Sequence, residues 1–146
     1  MCYNAKMEYR KTFWKKFIGN LISLPIIWLP FPAFLLLDIL FEFYHHTCFP
    51  IYGIPKAKRS EYIQIFDRNK LSYLRWYEKL GCMYCGYANG LLLYLKEIAS
   101  RTEKYWCGIM HKNKGDFKVQ QHQVDHNFSE FDNEEDFYKK YPGNKN

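Results

Sequence analysis

The sequence predicts a mainly α fold: a small membrane-associated helical protein with a proline-broken re-entrant or monotopic hairpin and a metal-stapled helical domain. Three observations predict it. Residues Phe17 to Leu37 form a run of 21 without a charge. Later segments place apolar residues at helical spacing. Four soft or borderline ligands, Cys82, Cys85, Cys107 and His111, recur as two close pairs.

A length of 146 residues suits one compact domain. The aromatic share, 20%, is high. Rings with a polar handle suit a site that is apolar at one end and wet at the other, although a packed aromatic core would give the same composition. The formal charge of +6 is uneven: residues 1–60 carry eight Lys/Arg against three acids, and residues 126–146 carry three against five. The basic surplus flanks the apolar run, where anionic lipid headgroups are the expected partner. Nucleic acid is disfavoured, because the basic residues form no separate cationic helix.

The first segment, residues 1–47, is read as a basic N-terminus and a membrane-embedded hairpin. About 20 apolar helical residues cross a bilayer core, so length permits a span. Pro25, Pro30 and Pro32 fall within the run and interrupt its backbone hydrogen bonds. Lys11, Lys15 and Lys16 precede it, while Lys56, Lys58 and Arg59 follow. Basic residues favour the cytoplasmic face, so both ends belong there. A helix–break–helix that dips into one leaflet satisfies both observations and leaves the soluble part facing the cytoplasm. A single span and a hairpin buried in a soluble protein are the alternatives. No signal peptide is expected, since no small-residue cleavage site follows the apolar part.

Asp38, Glu42, His45 and His46 close this segment, with Glu42 and His45 in Glu-x-x-His spacing. On a helix these side chains share a face. Residues 48–60, with Pro50, Gly53 and Pro55, read as a linker. Residues 61–126 are assigned to a metal-binding helical domain. Its first stretch, Glu61 to Phe66, suits a short strand or a helix start. Leu71 to Leu80 reads as a short amphipathic helix ended by Gly81. A stronger helix is expected from Tyr87 to Tyr105, with Ala88, Leu91, Leu95 and Ile98 on one stripe. Residues 127–146 form an acidic tail, weakly ordered unless it folds back.

Phosphate-loop, Gly-x-Ser-x-Gly and His-Glu-x-x-His motifs are absent. The most specific feature is Cys-x2-Cys-x21-Cys-x3-His. Five cysteines, an odd number, do not suggest a disulfide framework. Three thiolates and one imidazole suit tetrahedral zinc, with iron as the alternative. A rigid helix between the pairs would separate them by ~30 Å. The site therefore requires a break near Ser100 to Thr102, a different metal arrangement, or ligands from two chains of a homo-oligomer. Four protein ligands leave no open position, so the expected role is structural, in an accessory or adaptor subunit of a larger membrane complex.

Two other functions compete. Cys82 and Cys85 would serve a dithiol redox protein. Asp38, Glu42, His45 and His46, joined by Glu61, Glu97 or Glu103, would build a carboxylate/histidine iron site in a membrane-bound metalloenzyme acting on an apolar or lipid substrate. Di-iron bundles normally need two Glu-x-x-His motifs, and one is present. Glu97 and Arg101, four apart, are expected to form an ion pair, and His122 and His126 to lie on the surface.

Overall fold

Prolines set the first break in the chain. The computed structural model describes residues 13–65, 67 and 70–144. Cys2, Lys11 and Phe66 lie outside them. Helix α1 (Phe13–Trp28) and helix α2 (Phe31–Tyr52) flank a turn at Leu29 and Pro30. Pro30 has no N–H to offer the Ile26 carbonyl, so the Leu29 N–H approaches it at 3.3 Å while bonding Pro25 O at 3.1 Å. Pro32 lies in the first turn of α2, where a missing N–H costs nothing. Counted across that turn, Phe17–Tyr52 is the one helical stretch among the described residues long and apolar enough to cross a membrane, by length and composition.

The chain divides into two compact units, one ending at Leu36 and one starting at Leu37. In the first, Ile18, Leu21, Ile22, Ile26 and Leu29 are each more than half exposed. Trp28 and Phe31 meet edge to face across the turn.

The second unit carries the core. Its remaining elements are α3 (Arg59–Tyr62), α4 (Trp76–Trp106), α5 (Gln121–Asp125), α6 (Glu134–Lys140) and a 3-10 turn at Pro142–Asn144. Asp38 meets Tyr87, His45 meets Tyr94 and Tyr52 stacks on Tyr105. Partners rise together in number, so α2 and α4 run parallel. Phe49, Leu91, Tyr94, Ile98 and Phe128 are the fully buried apolar centre.

Helix α4 corrects two expectations. It begins at Trp76, where Glu78 accepts from the Arg75 N–H, and continues through Gly81 instead of ending there. A helical glycine costs about 1 kcal/mol, which continued hydrogen bonding and the packing of Ala88 and Leu91 offset. Two glycines farther on have a positive use. A Cβ at Gly90 would stand 2.7 Å from Tyr62 O and 2.8 Å from Ile63 Cα, and one at Gly86 3.2 Å from Gln64 O. Their bare faces let the chain after α3 cross against the helix backbone.

The acidic tail carries a helix of its own. Asn133 caps α6 by accepting from the Asp136 N–H, acids fill its first turn, and Lys139 and Lys140 its last. That distribution complements the helix dipole. The tail does fold back: Lys140 donates to Phe128 O, and the Tyr141 hydroxyl donates to Gly108 O.

Candidate metal centre

Helical periodicity places the first acid–imidazole group. Asp38, Glu42, His45 and Phe49 recur at intervals of four, three and four along α2, so they share the face turned to α4. His45 and Phe49 are buried, and their rings meet edge to face at 4.5 Å. His46 lies at the border of this stripe, with its side chain 60% exposed.

Arg59, at the start of α3, reaches back to the acids. Its Nη2 donates to Asp38 Oδ2 at 2.7 Å, and its Nη1 donates to Asp38 Oδ1 and, at 2.8 Å, to Glu42 Oε1. The Tyr87 hydroxyl gives Asp38 another donor at 2.7 Å. Hydrogen bonding to Asp38 outweighs burial and holds the guanidinium pKa above its ordinary value. Burial, reinforced by the hydrogen bond to Asp38, pushes Tyr87 up to about 12.

The protons around His45 follow from its partners. The Ala57 N–H donates to Nε2 at 3.0 Å, so that nitrogen carries the lone pair. Nδ1 is then the N–H and donates to the Tyr94 hydroxyl oxygen at 3.1 Å. Burial, together with the Glu42 charge, pushes Tyr94 up to about 12. His46 Nδ1 lies 3.1 Å from Glu42 Oε2 and 3.0 Å from Glu42 O, both acceptors, so it too carries a proton there.

Glu42, His45 and His46 each offer one ligand atom, all within 4.8 Å of one another. Among the described residues this is the one group of three or more potential ligands that comes together. Two imidazoles and a carboxylate suit zinc or iron and leave positions open. His46 can present a lone pair by moving its proton to the other ring nitrogen. His45 requires more: coordination through Nδ1 displaces the Tyr94 hydroxyl, and coordination through Nε2 displaces the Ala57 amide. Asp38 is committed to Arg59 and Tyr87.

The Cys3His site is overturned. Cys82 and Cys85 lie within α4 and Cys107 is its C-cap, so no break occurs at Ser100 to Thr102. The 22 positions from Cys85 to Cys107 carry the second thiol about 33 Å along the helix axis. Thiolates on one zinc lie only about 4 Å apart. His111 does not share a helical face with Cys107 either, because α4 ends at Trp106 and Gly108 turns the chain at φ +62°. Cys48, Cys82, Cys85 and Cys107 are free thiols.

The other acids are engaged elsewhere. Glu61 forms an exposed pair with Lys58 at 3.6 Å. Glu97 pairs with Arg101 at 2.8 Å, as expected from their spacing, and stands 3.4 Å from His126 Nε2. Glu103 accepts from His122 Nε2 at 2.7 Å and from Gln123 Nε2 at 2.8 Å. His122 is therefore not a surface residue: its side chain is 11% exposed. Its Nδ1 is buried without a partner among the described residues.

Sequence reasoning missed Arg59 as the bridge, along with Tyr87 and Tyr94. The two tyrosines each lie 49 residues from their partner on α2, so no local pattern marks them. The repeat Gly86-x3-Gly90 was a usable signal for close backbone approach. Comparison with protein-family models, curated proteins and solved structures finds no match to this chain.

Proposed function

We propose that this protein is a membrane-associated metalloenzyme in which Glu42, His45 and His46 hold one divalent ion, zinc or iron, beside an apolar or lipid substrate. The observation that carries the reading is the convergence of three ligand atoms within 4.8 Å. Three protein ligands leave room for water or substrate on the ion, which a closed four-ligand site does not. The uncovered apolar side chains of Phe17–Tyr52 support a membrane setting, because so many exposed aliphatic residues in water would drive association. An anionic leaflet suits the basic flanks, with the second unit on the cytoplasmic side.

When bound, the ion would polarise a substrate oxygen or activate a water. The chain's own part is to hold the ligands. Arg59 fixes the Glu42 carboxylate through Oε1 and leaves Oε2 toward His46. Tyr94 orients the His45 ring by accepting its Nδ1–H, an arrangement that survives coordination through Nε2.

Metal analysis of the detergent-solubilised chain tests this. About one equivalent of zinc or ferrous iron is expected, lost in Glu42→Gln and His46→Ala but kept in Cys82→Ser and Cys107→Ser. Metal retained by the first two variants, or lost from the cysteine variants, contradicts the assignment. Flotation with anionic liposomes tests the membrane setting separately.

A further inference from the structure

A surface cavity of about 740 Å³ opens in the second unit, between the end of α2 and the C-terminal turns of α4. It is separate from the ligands described above, and nothing in the proposed function uses it. Its size lies within the range of small-molecule sites, about 300–1,000 Å³.

The lining has a consistent chemistry. Arg101, Lys104 and Lys140 contribute to it, and no Asp or Glu does. Two of these cations are partly compensated from outside the cavity: Arg101 by Glu97 at 2.8 Å and Lys140 by Asp136 at 3.0 Å. Lys104 has no ion-pair partner among the described residues, so the cavity carries about one uncompensated positive charge. Fixed partners also hold Arg101 and Lys140 in place, since Arg101 donates to Pro55 O at 2.6 Å and Lys140 to Phe128 O at 3.0 Å. A cation held by its own framework loses little freedom when a ligand arrives.

The remaining wall is aromatic. Tyr52 and Tyr105 stack with centroids 4.8 Å apart and planes 20° apart, and both line the cavity, as does Tyr141. The stacked pair adds an aromatic surface to the same lining as the cations. A small inorganic anion would use the charge and leave that surface wet. A larger molecule with an anionic group and an apolar body would use both.

We infer that this cavity binds a phosphate-bearing organic anion, with the phosphate at Lys104, Arg101 and Lys140 and its apolar part on the Tyr52–Tyr105 wall. A phospholipid headgroup and a soluble phosphate ester share this chemistry.

Titration calorimetry on the full chain in a non-ionic detergent tests it. The probes are phenyl phosphate, dihexanoyl phosphatidate, dihexanoyl phosphatidylcholine and inorganic phosphate. At least one of the first two is expected to bind tenfold or more tightly than inorganic phosphate and the zwitterionic lipid. Binding of phosphatidate alone assigns the site to a lipid headgroup, and binding of phenyl phosphate opens it to soluble esters; both outcomes support the inference. Lys104→Met, which keeps the side-chain stem, should weaken the organic anions at least tenfold. Tyr105→Ala should weaken them severalfold without changing inorganic phosphate. Circular dichroism melts establish that both variants fold, and Lys104→Gln serves if the methionine variant does not. Absence of saturable binding by either organic phosphate, or binding unchanged in the folded variants, overturns the inference.

Discussion

Two acid–imidazole clusters lie in the second unit, and they are built on opposite plans. Around α2, Glu42 and His46 come from one helix, and Arg59 arrives from α3 to compensate the acids. Around α4 and α5, each carboxylate meets one imidazole: Glu103 meets His122 of α5, and Glu97, paired also with Arg101, meets His126 at the α5 C-cap. The second plan spreads the acids over separate pairs and so fastens a five-residue helix too short to persist alone. The first plan gathers ligand atoms around one point. Composition is nearly the same in both, so the direction of the side chains decides which cluster could hold an ion.

Removing Arg59 should break this contrast most severely. Arg59→Met leaves Asp38, 14% exposed, and Glu42, 27% exposed, without their common cation. A loss of about 2–4 kcal/mol is expected, below the upper figures for fully buried pairs because the arginine side chain is itself 40% exposed. Denaturant unfolding in detergent would measure it. A loss under about 0.5 kcal/mol would show that the network contributes little to stability.

Zinc should separate the clusters next. An ion bound only by the folded state at a hundred times its Kd stabilises by about 2.7 kcal/mol. A raised unfolding midpoint is expected in the wild type and in His122→Ala, and no rise in His46→Ala. Equal rises in all three proteins would place the ion outside Glu42, His45 and His46.

The two clusters were unequally legible in the sequence. Asp38, Glu42, His45 and His46 lie on one helix, so their intervals of three and four residues already determine a shared face. Glu103 and His122 lie 19 residues apart on different helices, and neither has a neighbour that announces the other. The cysteine pattern misled for a related reason. Ligand spacing counts residues but says nothing about direction, and here the intervening residues form one continuous helix. Gly81 suggested a helix end, whereas α4 runs through it, and Gly86 and Gly90 clear space for Gln64 and for Tyr62 and Ile63 respectively. The acidic tail carried its helix signals openly, with Asn133 ahead of three acids and two lysines behind them. Composition obscured them.

A smaller effect, about 1–2 kcal/mol, is expected when the second cluster is opened by Glu103→Gln. Its pH dependence is the sharper measurement. Burial raises the Glu103 pKa, but hydrogen bonds from His122 and Gln123 outweigh it and hold the carboxyl below the ordinary glutamate range. The unfolded chain therefore binds this proton more readily than the folded one. The stabilisation is full above the ordinary glutamate value and fades as pH falls through the lower folded value. In acid titrations followed by circular dichroism, Glu103→Gln should lose that part of the acid limb. Identical acid limbs in the two proteins would remove Glu103 as its source.

The smallest expected effect is at the cysteines. Cys85 is exposed and Cys82 half-buried, both on α4, and neither takes part in the ion-pair network around Arg59. Serine keeps their size, and the helix continues through both positions whatever the side chain. Cys82→Ser and Cys85→Ser should each stay within about 0.5 kcal/mol of the wild type, the ordinary range for substitutions that open no cavity and strand no buried charge. The zinc-induced shift in midpoint should also be unchanged. A shift abolished by either serine would return a thiolate to the metal. It would require α4 to bend sharply or a second chain to supply the remaining ligands, because the distance along one continuous helix does not permit closure.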